Sequence, residues 1–143
     1  MKRILLAASM ILSLFAVGCA QMTSTTVATT TADASSTAVS TKGYTIIKAD
    51  EAKKMMDAGN VIVVDVRTDS EYADKHIPNA INIPVESITT TQPDLLPDLH
   101  QTILVYCRTG IRAATASQKL VDIGYTKVYD MGGIVDWPYD TVQ

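Results

Sequence analysis

A continuous run of β-branched residues, Val61-Ile62-Val63-Val64, constrains the fold of this chain most strongly. A strand with one solvated face alternates apolar and polar residues, whereas an unbroken apolar run is typical of a strand buried on both faces. A second run of this kind, Thr102 to Tyr106, lies further along the chain. Such strands occur in sheets that have helices packed on both sides. The two runs therefore predict two central strands of a covered sheet.

Helical patterns alternate with the predicted strands. The segment 50–59 begins with acidic residues and ends at a glycine, as helices do. Thr68-Asp69-Ser70-Glu71 matches a capping box, which opens a second, short helix. This alternation predicts an α/β fold in three layers, with a mostly parallel central sheet flanked by helices. The other predicted elements are a turn over 76–80, strands over 81–83 and 127–129, a connection over 84–101, and a helix over 113–123 that ends at Gly124.

The segment Cys107-Arg108-Thr109-Gly110-Ile111-Arg112 joins the second buried strand to a predicted helix. Ligands of parallel α/β sheets bind beyond the carboxyl ends of the strands, where this loop is expected. Backbone amides of such a loop attract anions, as does the positive end of a helix dipole, roughly half an elementary charge. Together with Arg108 and Arg112 they stabilise a thiolate. We therefore interpret Cys107 as a nucleophile; the alternative is a buried, inert cysteine.

Four motifs occur in one order along the chain: Asp65-Val66-Arg67, His76-Ile77-Pro78, the cysteine loop, and Gly132-Gly133 followed by Trp137. In this order and spacing they resemble the single-domain rhodanese-like sulfurtransferases, over about 43–143. The resemblance implies the rhodanese-like fold and a cysteine that accepts a sulfane sulfur as a persulfide. Asn79 departs from the family, which usually has glycine there. Because asparagine tolerates a positive φ, we expect the turn to be kept.

The length of the cysteine loop favours sulfur transfer over phosphate chemistry. Four residues separate Cys107 from Arg112, whereas relatives that act on phosphate or arsenate have a longer loop that surrounds a tetrahedral oxyanion. A phosphatase or arsenate reductase is therefore a distant alternative. A nearer alternative is a module that carries sulfur, or binds a partner protein, without turnover.

The resemblance and the charges together predict a role for each residue of the site. Cys107 would be the catalytic nucleophile that attacks the outer sulfur of thiosulfate or a similar anion, with a thiol or cyanide as the acceptor. Asp65 and Arg67 would support the loop by hydrogen bonding. We expect no cofactor, because the persulfide carries the sulfur, and no metal, because the histidines and cysteines lack the spacing of metal ligands. The donor would be bound through guanidinium groups and backbone amides of Arg108, Thr109, Gly110, Ile111 and Arg112.

The first residues predict export and lipid anchoring. Two basic residues precede an apolar stretch over 4–17, which has the length of a signal peptide and is short for a membrane span. Ala16-Val17-Gly18-Cys19 resembles the lipobox of bacterial lipoproteins, which implies diacylation of Cys19. The alternative is an ordinary secretory signal. We expect a signal peptide over 1–18, a disordered tether over 19–42, and anchoring to a bacterial membrane in the cell envelope, on its periplasmic or extracellular face.

The charge of the chain argues against a nucleic-acid partner. The formal net charge is −3 at pH 7, and the sequence has no basic stripe. If Cys19 is acylated, Cys107 is the only free thiol of the mature chain, and no internal disulfide can form. An unpaired thiol in an exported protein agrees with a reactive role. We expect the domain to act as a monomer.

Overall fold

A six-stranded sheet forms the centre of the fold. The computed structural model describes the backbone of residues 39–41 and residues 43–143. Within these residues no helix is both long and apolar enough to cross a membrane. The strands are β1 (Val39–Thr41), β2 (Tyr44–Ile46), β3 (Val61–Asp65), β4 (Ala80–Asn82), β5 (Thr102–Cys107) and β6 (Lys127–Gly133). The helices are α1 (Ala49–Ala58), α2 (Asp69–Asp74) and α3 (Ile111–Ile123), and a 3₁₀ turn covers Ile134–Asp136.

The sheet is mostly parallel, as the sequence predicts. Its strand order is β1-β2-β6-β5-β3-β4. Every neighbouring pair from β2 to β4 is parallel, and β1 pairs antiparallel with β2. In the central strand β5, Val105 lies opposite Val64 of β3 and Asp130 of β6. The predicted α/β fold with a central sheet and flanking helices is confirmed.

Two apolar clusters cover the two faces of the sheet, and β5 contributes to both. Ile103, Val105 and Cys107 belong to the cluster that includes the buried face of α3. Leu104 and Tyr106 belong to the cluster that includes the buried face of α1. Each of these five side chains is at most 1% exposed. Because successive side chains of a strand point to opposite faces, burial on both faces leaves no position for a polar residue.

The structure confirms the predicted start of α2, the predicted end of α3 and the predicted turn at Asn79. The hydroxyl of Thr68 accepts from the backbone N–H of Glu71, whose carboxylate accepts from the N–H of Thr68, so the capping box is complete. Gly124 ends α3 in the left-handed conformation, with φ of 119°. Asn79 has φ of 64°, so the turn that departs from the family pattern is kept.

The sequence pattern does not predict β1 and β2. Each strand has three residues, and β1 is an edge strand that pairs with β2. Short edge strands carry little hydrophobic periodicity, so their residues resemble those of a loop. β1 lies inside the range 19–42 that is predicted to be a tether. Residues 19–38 of the predicted tether, residue 42 and the predicted signal peptide lie outside the described residues.

Two elements extend further toward the cysteine loop than their sequence patterns predict. α3 begins at Ile111 instead of residue 113, because Gly110 forms its N-cap in the left-handed conformation. β6 continues to Gly133 instead of ending at residue 129. The pairing of β6 with β5 is irregular in register where β5 passes from Val105 to Cys107. The loop proper is therefore reduced to Arg108, Thr109 and Gly110.

Replacing Leu104 by alanine should lower the free energy of unfolding by about 2–5 kcal/mol, because it leaves a cavity at a position that is 0% exposed. Leu95→Ala is the matched control, since Leu95 is 58% exposed. The control should change the free energy of unfolding by less than about 0.5 kcal/mol. Urea unfolding measures both, and equal effects of the two substitutions would contradict the packing of β5 between the two clusters.

Candidate active site

The carboxyl ends of four parallel strands meet at one edge of the sheet. β3 ends at Asp65, β4 at Asn82, β5 at Cys107 and β6 at Gly133. Cys107 lies opposite Gly133, and Asp65 lies opposite Asn82 on one side and Tyr106 on the other. This edge is where parallel α/β sheets bind ligands. The topology therefore brings the cysteine loop and the first predicted motif to the same place.

The Cys107 side chain lies at the floor of the loop and is 1% exposed. Its Sγ accepts a hydrogen bond from the backbone N–H of Gly110 at 3.1 Å. α3 begins at the next residue and has 13 residues, so the sulfur lies at the positive end of a helix dipole. An amide donor and a helix N-terminus both suit a sulfur anion. Cys107 thus combines packing in an apolar cluster with an amide donor at its sulfur.

Closely packed glycines support the loop from below. A Cβ on Gly133 would lie 2.4 Å from the carbonyl oxygen of Arg108 and 2.7 Å from the Cα of Thr109, distances that no side chain can occupy. A Cβ on Gly110 would lie 3.5 Å from the Cα of Gly132, and φ of Gly110 is 98°. Only glycine adopts that φ without strain. The Gly132-Gly133 pair is thus the surface on which the cysteine loop rests.

Arg112 forms a bidentate ion pair with Glu71. The two guanidinium nitrogens donate to the two carboxylate oxygens at 2.8 and 2.9 Å, and each side chain is about one third exposed, 31% and 30%. Hydrogen bonding to Arg112 is the main reason that the pKa of Glu71 falls to about 2. The same hydrogen bonds raise the pKa of Arg112. The pair fastens the first turn of α3, and with it the end of the cysteine loop, to α2.

Glu71 is the residue of this site that the sequence analysis does not identify. Its position in the capping box predicts a contact with Thr68, and that contact is present. The second contact, with Arg112, joins residues far apart in the chain. No local pattern encodes a contact between two helices, so the capping box is the one signal that marks this glutamate.

The structure separates the predicted donor-binding residues into two groups. Arg112 is occupied by Glu71, as described above. Arg108 and Thr109 are exposed, and Ile111 is 78% exposed. Among the described residues, the Arg108 guanidinium has no hydrogen-bond or ion-pair partner. The amide of Gly110 is the loop amide that donates to the sulfur. Arg108 is therefore the cation of the loop that is available to an anionic ligand.

Asp65 and Arg67 form a buried ion pair behind the loop. Asp65 is 0% and Arg67 is 5% exposed, and the guanidinium Nη2 donates to Asp65 Oδ2 at 2.6 Å. Burial lowers the pKa of Arg67, but hydrogen bonding and the charge of Asp65 outweigh it and raise the value. Nη2 also donates to the carbonyl oxygen of Lys75 at 2.5 Å, at the end of α2. This pair therefore holds the end of α2 in place. Because α2 carries Glu71, which pairs with Arg112, the buried ion pair supports the cysteine loop indirectly.

A metal ion bound by the protein needs several His, Cys, Asp or Glu side chains close together. Within residues 39–41 and 43–143, no three side chains of His, Cys, Asp or Glu are grouped so as to hold a metal ion. The chemistry that the site can perform with its own groups is attack by a sulfur nucleophile. The Gly110 amide donates to that sulfur, and the exposed Arg108 is the next residue in the chain.

Replacing Glu71 by glutamine should reduce stability in a pH-dependent way. The pKa of Glu71 in the folded protein, about 2, lies below its ordinary value of 4.5. A carboxylate of lowered pKa contributes stability in full above the ordinary value, and the contribution disappears as the pH falls through the folded value. The difference in free energy of unfolding between wild type and Glu71→Gln should therefore be constant above pH 4.5 and shrink toward pH 2.

Urea unfolding from pH 7 to pH 2.5 measures this difference. Asp94→Asn is the control, because Asp94 is an exposed carboxylate for which the described residues provide no hydrogen bond. If the difference in free energy of unfolding between wild type and Glu71→Gln stays constant across this pH range, the ion pair between Glu71 and Arg112 is contradicted.

Comparison with known proteins supports a common origin for this arrangement. The profile of the Rhodanese-like domain matches residues 48–139. Thiosulfate sulfurtransferase PspE of Escherichia coli K12 is 36% identical over 73 residues, which cover 51% of this chain and 70% of that protein. The tRNA uridine(34) hydroxylase of Yersinia pestis is 34% identical over 96 residues, which cover 64% of this chain but only 27% of that protein.

A solved structure gives the same result. The human single-domain sulfurtransferase TSTD1 superposes with a TM-score of 0.59 at 26% identity, covering 64% of this chain and 93% of that one. The range matched by the profile takes in Asp65, Arg67, the cysteine loop and the Gly132-Gly133 pair. The chain therefore belongs to the rhodanese-like domain family.

Proposed function

We propose that this protein is a sulfurtransferase that moves a sulfane sulfur from thiosulfate, or a similar anion, to a thiophilic acceptor through a persulfide on Cys107. The observation that carries the proposal is the hydrogen bond from the Gly110 amide to the Cys107 sulfur at the start of α3. Similarity to a thiosulfate sulfurtransferase of Escherichia coli supports it, as does similarity to a human single-domain sulfurtransferase.

In the first step, the Cys107 thiolate attacks the outer sulfur of thiosulfate. The S–S bond of thiosulfate breaks, and its electron pair leaves with sulfite. The persulfide that forms carries its negative charge on the outer sulfur, where the loop amides and the positive end of α3 stabilise an anion. The persulfide itself carries the sulfur between the two steps, so the proposal needs no cofactor.

We assign donor binding to Arg108 and positioning of the loop to Arg112. A guanidinium group can donate two parallel hydrogen bonds to the oxygens of a sulfonate-like group. Within the described residues the Arg108 guanidinium has no partner and keeps this capacity, whereas Arg112 directs two of its N–H donors at Glu71. Arg108 is exposed and follows Cys107 in the chain, so its charge would also attract an anion toward the buried thiol.

In the second step, the acceptor attacks the outer sulfur of the persulfide. The bond between the two sulfurs breaks, and its electron pair returns to Cys107 as the thiolate. Cyanide would leave as thiocyanate, and a thiol would leave as a persulfide. The chain is then ready for another donor, with no oxidant or reductant consumed.

Two observations argue against a phosphatase. Four residues separate Cys107 from Arg112, fewer than in the loops that surround phosphate. In addition, the arginine at the end of the loop directs two of its N–H donors at Glu71, which leaves fewer of them for an oxyanion. Both observations favour a ligand that is held at the sulfur and at Arg108.

Turnover of thiosulfate and cyanide to thiocyanate tests the proposed function. Wild-type protein should produce thiocyanate, and Cys107→Ser should lower the rate by at least about a thousandfold, because a hydroxyl in place of the thiol cannot form the persulfide. Leu95→Ala, at an exposed site remote from the loop in sequence, should turn over at the wild-type rate.

The unfolding curve of Cys107→Ser should match that of wild type, so that loss of turnover reports chemistry and not loss of the fold. Thiocyanate formation by Cys107→Ser at the wild-type rate would overturn the proposal. A stable sulfur adduct on Cys107 with no thiocyanate formed would instead identify a sulfur carrier.

We also propose that the protein is exported and anchored to a bacterial membrane through lipid on Cys19. The support is the lipobox-like Ala16-Val17-Gly18-Cys19 after a basic and then an apolar stretch, a segment that lies outside the described residues. Two or more acyl chains suffice for stable anchoring, so neither a membrane-spanning helix nor a basic surface is needed.

Metabolic labelling with radioactive palmitate in a bacterial host tests this anchor. The wild-type chain should incorporate label and sediment with membranes, and Cys19→Ser should incorporate none. Cys107→Ser is the matched control, since it removes the other cysteine and should be labelled as strongly as wild type. Label on Cys19→Ser but not on Cys107→Ser would contradict the assignment.

A further inference from the structure

Two large aliphatic side chains beside the cysteine loop are exposed to solvent. Ile111 is 78% exposed and Val135 is 60% exposed. Ile111 directly follows Gly110, and the backbone N–H of Val135 donates to the carbonyl oxygen of Arg108 at 3.3 Å. Both side chains therefore belong to segments in direct contact with the loop that holds the reactive sulfur.

The fold does not account for these two side chains. The adjacent core positions are filled by Ala113 and Ile134, which are 0% and 8% exposed. At the exposed start of a helix, a β-branched residue such as Ile111 is less favourable than alanine, leucine or a charged residue. Single exposed apolar side chains are ordinary on protein surfaces. Here two such side chains lie on segments whose backbones contact one proposed catalytic loop, at the Arg108 carbonyl and directly after Gly110.

An unpaired cation completes this surface. Arg108 is exposed, and its guanidinium has no hydrogen-bond or ion-pair partner in the described part of the chain. Cys107 is 1% exposed, so an acceptor must come to the mouth of the loop to reach the outer sulfur of a persulfide. We call the surface formed by Arg108, Ile111 and Val135 the loop rim.

We propose that the loop rim docks a protein acceptor whose cysteine lies beside apolar side chains and an acidic residue. This inference rests on the proposed function and names the class of acceptor. Cyanide or a small hydrophilic thiol leaves Ile111 and Val135 in water and gains nothing from them. A protein surface covers both together, which excludes water around the reacting sulfurs, while its acidic group pairs with Arg108.

The transfer to such a partner is balanced without a further reactant. The thiol of the partner gives its proton to the persulfide anion on Cys107, and the resulting thiolate attacks the outer sulfur of that persulfide. The S–S bond at Cys107 breaks, and its electron pair remains on the Cys107 sulfur as a thiolate. The partner leaves with the outer sulfur and its proton as a persulfide.

Three acetylated tetrapeptide amides serve as probes for this acceptor. They are Asp-Leu-Cys-Leu, the polar counterpart Asp-Ser-Cys-Ser, and the basic counterpart Lys-Leu-Cys-Leu. Protein loaded with thiosulfate and freed of excess donor is mixed with each peptide, and with cyanide, and the second-order rate constant of sulfur transfer is measured. The acidic apolar peptide should react about tenfold faster than either counterpart, the discrimination that about 1.4 kcal/mol of binding supplies.

The double variant Ile111→Thr, Val135→Thr tests whether the rim supplies this discrimination. Threonine keeps the branch at Cβ but replaces apolar surface, so the rate ratio of the leucine peptide to the serine peptide should fall to less than about twofold. Leu95→Thr, a change at another exposed aliphatic residue, should keep the full ratio. Because two peptides are compared on the same protein, a change in loading or folding cancels from the ratio.

Each outcome decides between the claims. Equal rates for the leucine and serine peptides on wild type, or an unchanged ratio in the double variant, would overturn docking at the rim while the sulfurtransferase activity stands. Equal rates for the acidic and basic peptides would remove Arg108 from the docking surface. Failure of wild type to transfer sulfur even to cyanide would overturn the proposed function itself.

Discussion

The burial of β5 on both faces is the constraint on which the rest of the structure depends. A strand with no polar face needs a layer of helices on each side, which α1 and α3 provide through the two apolar clusters. Parallel neighbours then align the carboxyl ends of the strands at one edge. Cys107 is the last residue of β5, so this buried strand places the sulfur at that edge of the sheet.

The charges around the sulfur are divided between holding the loop and leaving it open to a ligand. Arg112 is paired with Glu71, and this pair ties the first turn of α3 to α2. Asp65 and Arg67 in turn brace the end of α2 through the Lys75 carbonyl. The loop is thereby fixed from one side by ion pairs and from below by glycines, while the exposed Arg108 has no side-chain partner among the described residues. Rigid support beside an exposed arginine would suit the anionic sulfur donor that we propose for this site.

Much of this arrangement could be predicted from the sequence because its signals are local. An unbroken apolar run specifies a doubly buried strand, Thr68 and Glu71 specify a helix start, and Gly124 specifies a helix end. The order of the motifs and the cysteine at a strand end were enough to predict the fold family and where the loop lies.

The remaining features depend on contacts between distant parts of the chain. The pairing of Glu71 with Arg112 needs α2 and α3 to be in place, and the need for glycine at 133 appears only when the Arg108 carbonyl lies where a Cβ would be. β1 and β2 are too short to show a period. Long-range packing, which no window of sequence contains, decides each of these.

The most direct test is the mass of the protein after incubation with thiosulfate in the absence of reductant. The mass should increase by one sulfur atom, peptide mapping should assign the addition to the peptide that contains Cys107, and one equivalent of sulfite should be released. Sulfite release with no adduct, or an adduct on a peptide without Cys107, would contradict a persulfide held in this loop.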